Sequence, residues 1–82
     1  MRFGRVSLGP NEEMKEHSNW EFEELIVVVS GTASVFFSGK LEREVARGDF
    51  LKIGKNTLHS IKNLGDGTLE YYYVLPDKPE KV

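Results

Sequence analysis

Turn-forming residues recur along this chain every eight or nine residues, and this spacing limits what the chain can fold into. Most of them are glycine, asparagine or aspartate, which tolerate a positive φ or bond to their own backbone. No segment between them carries a helical stripe of apolar residues. Turns at this spacing are typical of an all-β sandwich or barrel. The groups are Ser30-Gly31, Ser38-Gly39-Lys40, Arg47-Gly48-Asp49, Lys55-Asn56 and Gly65-Asp66-Gly67.

The segments between these turns are rich in β-branched and aromatic residues, which favour strands. We expect strands over residues 2–8, 13–17, 25–29, 32–37, 41–45, 50–53, 57–63 and 69–75. Ser38-Gly39-Lys40 predicts a tight hairpin, since glycine adopts a positive φ readily. Eight short antiparallel strands without a helix predict a closed or double-sheet β fold. Residues 76–82 are rich in proline and charge, and we expect a poorly ordered tail there.

The chain's size and composition narrow the class of protein further. With 82 residues it forms a single domain, residues 1–82, whose core is thin. Small domains often gain stability by dimerising, and residues 25–29, LIVVV, are apolar on both faces of a strand. We therefore expect a homodimer. The absence of cysteine excludes disulfides and thiolate metal sites.

Charge and hydropathy exclude two kinds of partner. The net charge is -2, and acidic and basic residues are interspersed, so no basic stripe predicts nucleic-acid binding. No apolar run approaches the roughly 18 residues that a membrane span requires. The first ten residues lack the apolar core of a signal peptide. These features predict a cytoplasmic protein that binds neither nucleic acid nor membrane.

The chain has only two histidines, His17 and His59, and each lies in or beside a predicted strand. Residues i and i+2 share a face of a strand, so His17 and Asn19 point the same way if the backbone there is extended. His59 shares its face with the apolar Ile61, which predicts an inward side chain. One interpretation is a core histidine bonded to a backbone carbonyl. The other is a metal site, because two inward histidines beside a carboxylate form a common ligand set.

The segment from His17 to Gly31 has the spacing of a known motif. Its elements are His17, then Asn19, then Glu24 after four intervening residues, then Gly31 after six intervening residues. This pattern resembles the first motif of the cupin family of small β-barrels, in which a second histidine normally stands where this chain has Asn19.

A second segment resembles the second cupin motif. Gly48, His59 and Asn63 fall in register with its glycine, histidine and asparagine. Gly54 and Asn56 replace the proline and glycine of its turn, and both still favour a turn. The two motifs cover residues 17 to 63, and the flanking strands fit the remainder.

The resemblance implies an all-β fold, a small antiparallel jelly-roll barrel, with one metal ion inside it. The family's ligands carry over to His17, Asn19, Glu24 and His59. Two histidines and one glutamate suit Fe, Mn, Ni or Zn as a divalent ion. An amide oxygen is a weak neutral donor, so Asn19 should lower the affinity relative to a site with three histidines.

Several residue assignments stay open at this level. Glu23 rather than Glu24 is an alternative inward acid, although the gap to Gly31 favours Glu24. Trp20 either lines the mouth of a ligand pocket, anchors a dimer or packs as an ordinary large ring. Tyr72, within the run 71–73, is a further candidate for ligand binding.

Two functions follow from the resemblance, because family membership does not select a reaction. The first is a small metal-binding cupin acting on a small oxygenated molecule such as a sugar derivative, a keto acid or a phenol. The second is a non-catalytic binding module or sensor for a small ligand with a degenerate metal site. A purely structural or interaction role is a third interpretation, which a cavity filled by side chains would favour.

Overall fold

A computed structural model describes residues 1–77, which form eight β-strands. The strands are β1 (Arg2–Leu8), β2 (Glu13–Ser18), β3 (Glu24–Ser30), β4 (Thr32–Phe37), β5 (Lys40–Ala46), β6 (Phe50–Ile53), β7 (Leu58–Lys62) and β8 (Leu69–Leu75). This confirms the all-β prediction. Within residues 1–77 no helix is long and apolar enough to cross a membrane. Of the expected tail, residues 78–82 lie outside the described part.

The strands form two antiparallel four-stranded sheets, with the orders β1-β8-β3-β6 and β2-β7-β4-β5. We call them the first and the second sheet. The pairs β1–β8, β2–β7, β3–β6 and β4–β5 are nested within one another along the chain. Nested antiparallel pairs divided between two facing sheets make a jelly roll. The topology therefore brings residues from distant parts of the chain into one interior.

The β4–β5 hairpin shows why the chain reverses where it does. Phe37 pairs with Lys40, so only Ser38 and Gly39 form the loop. Both have a positive φ, 50° and 83°. Two successive positive φ angles give the turn whose twist matches that of the flanking strands. The predicted tight hairpin is confirmed.

The core lies between the inner faces of the two sheets. Ile26 and Val28 of β3 face it with none of their surface exposed, as alternation along a strand requires. From the second sheet, Val35 and Val45 are equally buried. Tyr71 is the largest side chain among the fully buried ones. The apolar packing is continuous, and the polar residues that interrupt it are concentrated at the site described next.

The outer faces of both sheets carry exposed apolar side chains among polar ones. On the first sheet, Phe3, Val74 and Leu25 lie side by side across β1, β8 and β3. In the next row Arg5, Tyr72, Val27 and Phe50 are neighbours. Phe3 is 70% exposed and Phe50 58%. We call this surface the apolar outer face.

Candidate metal centre

A β-bulge in β2 turns His17 to the same side as His59, where it lines the open cavity and stays exposed. Met14 pairs with Ile61 and His17 with His59, so three steps along β2 match two along β7. In a regular strand, residues three apart lie on opposite faces. The bulge adds one extra residue to β2 and thereby places Met14 and His17 on the same face. His17 thereby becomes the cross-strand neighbour of His59, and their ring centroids are 4.4 Å apart.

Each histidine has its Nδ1 held by a backbone carbonyl. His17 Nδ1 lies 2.8 Å from the carbonyl oxygen of Lys15. His59 Nδ1 lies 2.9 Å from that of Thr57. A carbonyl oxygen only accepts hydrogen bonds, so Nδ1 must carry the proton and donate it. In the neutral ring, Nε2 then has a free lone pair, which is the form that binds metal.

Glu24 completes the group from the opposite sheet. It is the first residue of β3, and its side chain is inward and buried. Ligand atoms of His17, Glu24 and His59 all lie within 4.8 Å of one another. Donors that bind one ion at about 2.0–2.2 Å lie no more than about 4.4 Å apart. The group can therefore hold a metal ion once its side chains move closer together.

His59 Nε2 is the strongest sign that the group is incomplete as it stands. The atom is buried, and it has no hydrogen-bond partner within residues 1–77. Glu24 Oε1 lies 3.5 Å away, which is too long for a good hydrogen bond. A buried polar atom without a partner costs about 1–3 kcal/mol. A cation between the two side chains would satisfy both.

The electrostatics of the site favour a positive charge. Burial lowers the pKa of His59, but the contacts with Glu24 and with the carbonyl of Thr57 raise it above 6.5 overall. Burial also raises the pKa of Tyr71, and the charge of Glu24 raises it further. The Tyr71 hydroxyl therefore stays protonated and remains a hydrogen-bond donor at any physiological pH. A proton on His59 and a metal ion would compete for the same place beside Glu24.

Glu23 and Glu24 lie in different environments, and the structure shows that Glu24 is the inward acid. Glu24 is 9% exposed and points to the histidines. Glu23 points away from them, and its Oε2 lies 2.9 Å from Lys52 Nζ. The motif spacing predicted Glu24 over Glu23, and the register of β3 with β6 has the same consequence, since Glu24 pairs with the buried Ile53.

Asn19 lies beside the histidines, but its amide bonds to the backbone. Oδ1 accepts a hydrogen bond from Thr57 N–H at 2.9 Å, and Nδ2 donates one to the carbonyl of Gly54 at 2.6 Å. The residue follows β2 and is 7% exposed. The structure thus gives the amide a set of partners in the turn between β6 and β7.

A cavity of about 360 Å³ opens over the group. Glu24 and His17 line it, together with Trp20, which stands at its edge and is 71% exposed. Tyr72 lies on the outer face of β8 and is not among the lining residues, whereas Tyr71 and Tyr73 are. The remaining lining residues are Arg2, Met14, Ser18, Asn19, Phe22, Ile61 and Leu75.

Sequence reasoning missed Tyr71, Tyr73 and Arg2 as residues of the cavity. Three consecutive tyrosines place the same residue type on both faces of a strand. The sequence therefore does not show which of them point inward. The register does, because Tyr71 pairs with Val28 and Tyr73 with Ile26, which are both core residues. The same alternation along β1 would have indicated Arg2 from the buried Leu8.

Comparison with known proteins agrees with this architecture. The family model of the cupin domain matches residues 4–75. The chain therefore belongs to the cupin family. No curated protein sequence matches it.

Several solved structures share the fold. One described as a predicted oxalate decarboxylase from Thermotoga maritima has a TM-score of 0.81 and 26% identity over 89% of this chain. The cupin domain of Cnp3 from Schizosaccharomyces pombe has a TM-score of 0.83 and 16% identity over 93%. An oxalate oxidase in complex with the substrate analogue glycolate has a TM-score of 0.82 and 21% identity over 95%. This chain spans 63%, 55% and 43% of their respective lengths.

Proposed function

We propose that this protein is a small metal-binding cupin that acts on a small oxygenated molecule at a divalent ion held by His17, Glu24 and His59. The observation that carries the proposal is that three potential ligands lie together and that one of their atoms, the buried Nε2 of His59, has no hydrogen-bond partner within residues 1–77. Structural side chains seldom leave such an atom unsatisfied, because its desolvation is not recovered. The donor set suits Fe, Mn, Ni or Zn.

A bound divalent ion would act as a Lewis acid that polarises an oxygen atom of the substrate. The chain's own residues prepare the space around it. Tyr71 lines the cavity and keeps its hydroxyl protonated, so it can donate a hydrogen bond to a bound molecule. Trp20 and Phe22 supply aromatic walls that exclude water from the substrate's apolar part. The cavity, at about 360 Å³, accommodates a molecule of metabolite size.

Arg2 favours an anionic substrate, such as a keto acid, over a neutral sugar. It lines the cavity, and its guanidinium carbon lies 6.0 Å from the centroid of the Phe22 ring. No carboxylate within residues 1–77 forms an ion pair with it. A guanidinium that lies beside an aromatic ring and forms no ion pair within residues 1–77 can present its donors to a carboxylate. The oxalate-related names of two structural neighbours are compatible with this substrate class.

Metal titration of the protein without a histidine tag tests the proposal. Isothermal titration of EDTA-stripped protein with Mn, Fe, Ni and Zn should give one site per chain. Glu24→Gln should weaken binding at least about tenfold, because it removes the only charged donor. Glu23→Gln is the matched control, since it changes the neighbouring acid on the opposite face, and it should leave affinity unchanged. Wild-type protein that binds none of these ions, yet binds a small organic ligand, would favour the non-catalytic binding module.

We also propose that the protein forms a homodimer through the apolar outer face. Leu25, Val27 and Val29 of β3 lie on this face, and Val29 is 39% exposed. On the outer face of the second sheet, Phe36 lies among Ser34, Ser60 and Lys62, and Leu58 is 47% exposed. An isolated domain of this size gains most by covering the apolar face with a second copy of itself.

A further inference from the structure

The side chain of Asn19 holds the turn that leads into β7. Its amide makes three contacts, all with backbone atoms of residues 53–57. Nδ2 donates to the carbonyls of Gly54 at 2.6 Å and Ile53 at 3.4 Å, while Oδ1 accepts from Thr57 N–H at 2.9 Å. Both ends of the amide are therefore occupied by a segment 34 to 38 residues away in sequence.

Other bonds connect the same two segments. Asn56 N–H donates to the carbonyl of Trp20, the residue after Asn19. Asn56 has a φ of 58° and Trp20 one of 53°, so each segment bends sharply at the contact. The Thr57 hydroxyl donates to the carbonyl of Gly54 across the turn at 2.7 Å. The turn is thus held by a hydrogen bond of its own residue Thr57 and by the side chain of Asn19, which belongs to another segment.

Thr57 connects this arrangement to the candidate metal centre. Its N–H is held by Asn19 Oδ1, and its carbonyl accepts the Nδ1 proton of His59 at 2.9 Å. The position of the carbonyl decides the tautomer and ring orientation of His59, and thereby where Nε2 points. A displacement of Thr57 would release the ring from the one orientation that faces Glu24.

We propose that Asn19 is a positioning residue, which fixes the tautomer and orientation of His59 through Thr57, and that it is not a metal ligand. This inference rests on the proposed metal-binding function for its affinity readout only. The chain then supplies three ligands, His17, Glu24 and His59. The Asn19 amide occupies the place where the family has a histidine, and its donor and acceptor both serve the fold of the β6–β7 turn.

The variant Asn19→Asp separates the two roles because they predict opposite signs. As a ligand, a carboxylate binds a divalent ion better than an amide does, so the affinity should rise. If Asn19 is a positioning residue, Asn19→Asp removes the N–H donor to the carbonyls of Ile53 and Gly54. The carboxylate oxygen that replaces it repels these carbonyl oxygens, so the turn is displaced. We expect metal affinity to fall about 10- to 100-fold, which is typical for loss of an outer-shell partner.

Asn63→Asp is the matched control. Asn63 is also buried, and its amide holds another turn, donating to the carbonyls of Leu8 and Gly67 and accepting from Gly65 N–H. It does not line the cavity. The control variant should lose a comparable amount of stability, and it should keep the wild-type metal affinity.

The second readout needs no metal. Long-range ¹H–¹⁵N correlation spectra of EDTA-treated protein, recorded at alkaline pH, report the tautomer of each histidine. Wild type and Asn63→Asp should show His59 with the proton on Nδ1, and Asn19→Ala should show a tautomer mixture for His59 with His17 unchanged. Tighter metal binding by Asn19→Asp, or an unaltered His59 in Asn19→Ala, would overturn the proposal. So would a wild-type His59 with the proton on Nε2, even if no Asn19 variant folds.

Discussion

The substitution Gly31→Ala tests whether the glycine that closes the first motif is required by its surroundings rather than by its φ alone. Gly31 joins β3 to β4 with a φ of 79°. A Cβ there would lie 2.8 Å from the carbonyl oxygen of Thr68 and 3.0 Å from the Cα of Leu69. Both are backbone atoms, which cannot rotate away as a side chain can. Gly48 has a similar φ of 85°, but a Cβ there would meet no atom within 4 Å.

The comparison separates two costs. An L-residue in the left-handed region costs about 1–2 kcal/mol, and this applies to both positions. Overpacking against atoms that must shift adds about 1–3 kcal/mol, and this applies to Gly31 alone. Replacing glycine also reduces the entropy of the unfolded chain, which offsets about 0.4–1 kcal/mol at each position. The expected net losses are about 1 kcal/mol for Gly48→Ala and about 2–4 kcal/mol for Gly31→Ala.

Urea unfolding of both variants, at one protein concentration and in EDTA, measures the difference. With a slope near the lower end of the usual 1–3 kcal/mol/M, the midpoint of Gly31→Ala should lie about 1 M or more below that of Gly48→Ala. Gly39→Ala, with a φ of 83° and open space around a Cβ, should match Gly48→Ala. Equal midpoints for all three variants would show that the contact with residues 68–69 does not constrain the chain.

Three further outcomes follow from the site and the surface. Burial lowers the pKa of His59, but the contact with Glu24 raises it above 6.5 overall. Protonation of His59 therefore stabilises the folded apo protein below pH 6.5. This stabilisation is lost as the pH rises through the pKa of His59 in the folded state. Glu24→Gln should remove that pH dependence from urea-unfolding free energies measured in EDTA, and an unchanged profile would contradict the assignment. Val27→Lys on the apolar outer face should give a monomeric mass in light scattering, whereas a wild-type monomer at micromolar concentration would refute the dimer. Arg2→Ala should weaken binding of a carboxylate probe such as benzoate at least about tenfold relative to the neutral benzamide. Arg5→Ala, which removes an arginine of the outer face paired with Glu70, should leave that ratio unchanged.

Much of the fold was accessible from sequence because short strands are delimited by local signals. The turn chemistry of Ser38-Gly39 depends on neighbouring residues alone, and the strands it separates were predicted to within one residue. The ligand group was accessible for a different reason. The spacing from His17 to Glu24 and from Gly48 to His59 belongs to the family, and no periodicity of this chain would have selected Glu24 over Glu23.

What sequence reasoning could not supply depends on contacts between distant segments. The bulge before His17 has no local signature, because Lys15 and Glu16 suit a regular strand equally well. The partners of Asn19 lie 34 to 38 residues away, so its amide cannot be assigned before the sheets are assembled. In a run of three tyrosines the sequence does not show which side chains point inward. The sequence analysis therefore selected Tyr72 as a ligand-binding residue, whereas Tyr71 and Tyr73 line the cavity.

The three candidate ligands come from both sheets, so a bound metal ion should affect the stability of the whole domain. His17 and His59 belong to the second sheet, whereas Glu24 belongs to the first. An ion bound by all three would connect the two sheets of a domain whose core is thin. It would also provide a partner for the buried Nε2 of His59, which has none within residues 1–77 and therefore destabilises the apo protein. At a free metal concentration of 100 times Kd, binding to the folded state adds about 2.7 kcal/mol to the free energy of unfolding. Glu24→Gln leaves two ligands on adjacent strands of one sheet, so saturating metal should then stabilise far less, in proportion to its weaker affinity. If metal stabilised Glu24→Gln as much as wild type at the same concentration, the ion would be bound by the histidines alone, and the connection between the sheets would not exist.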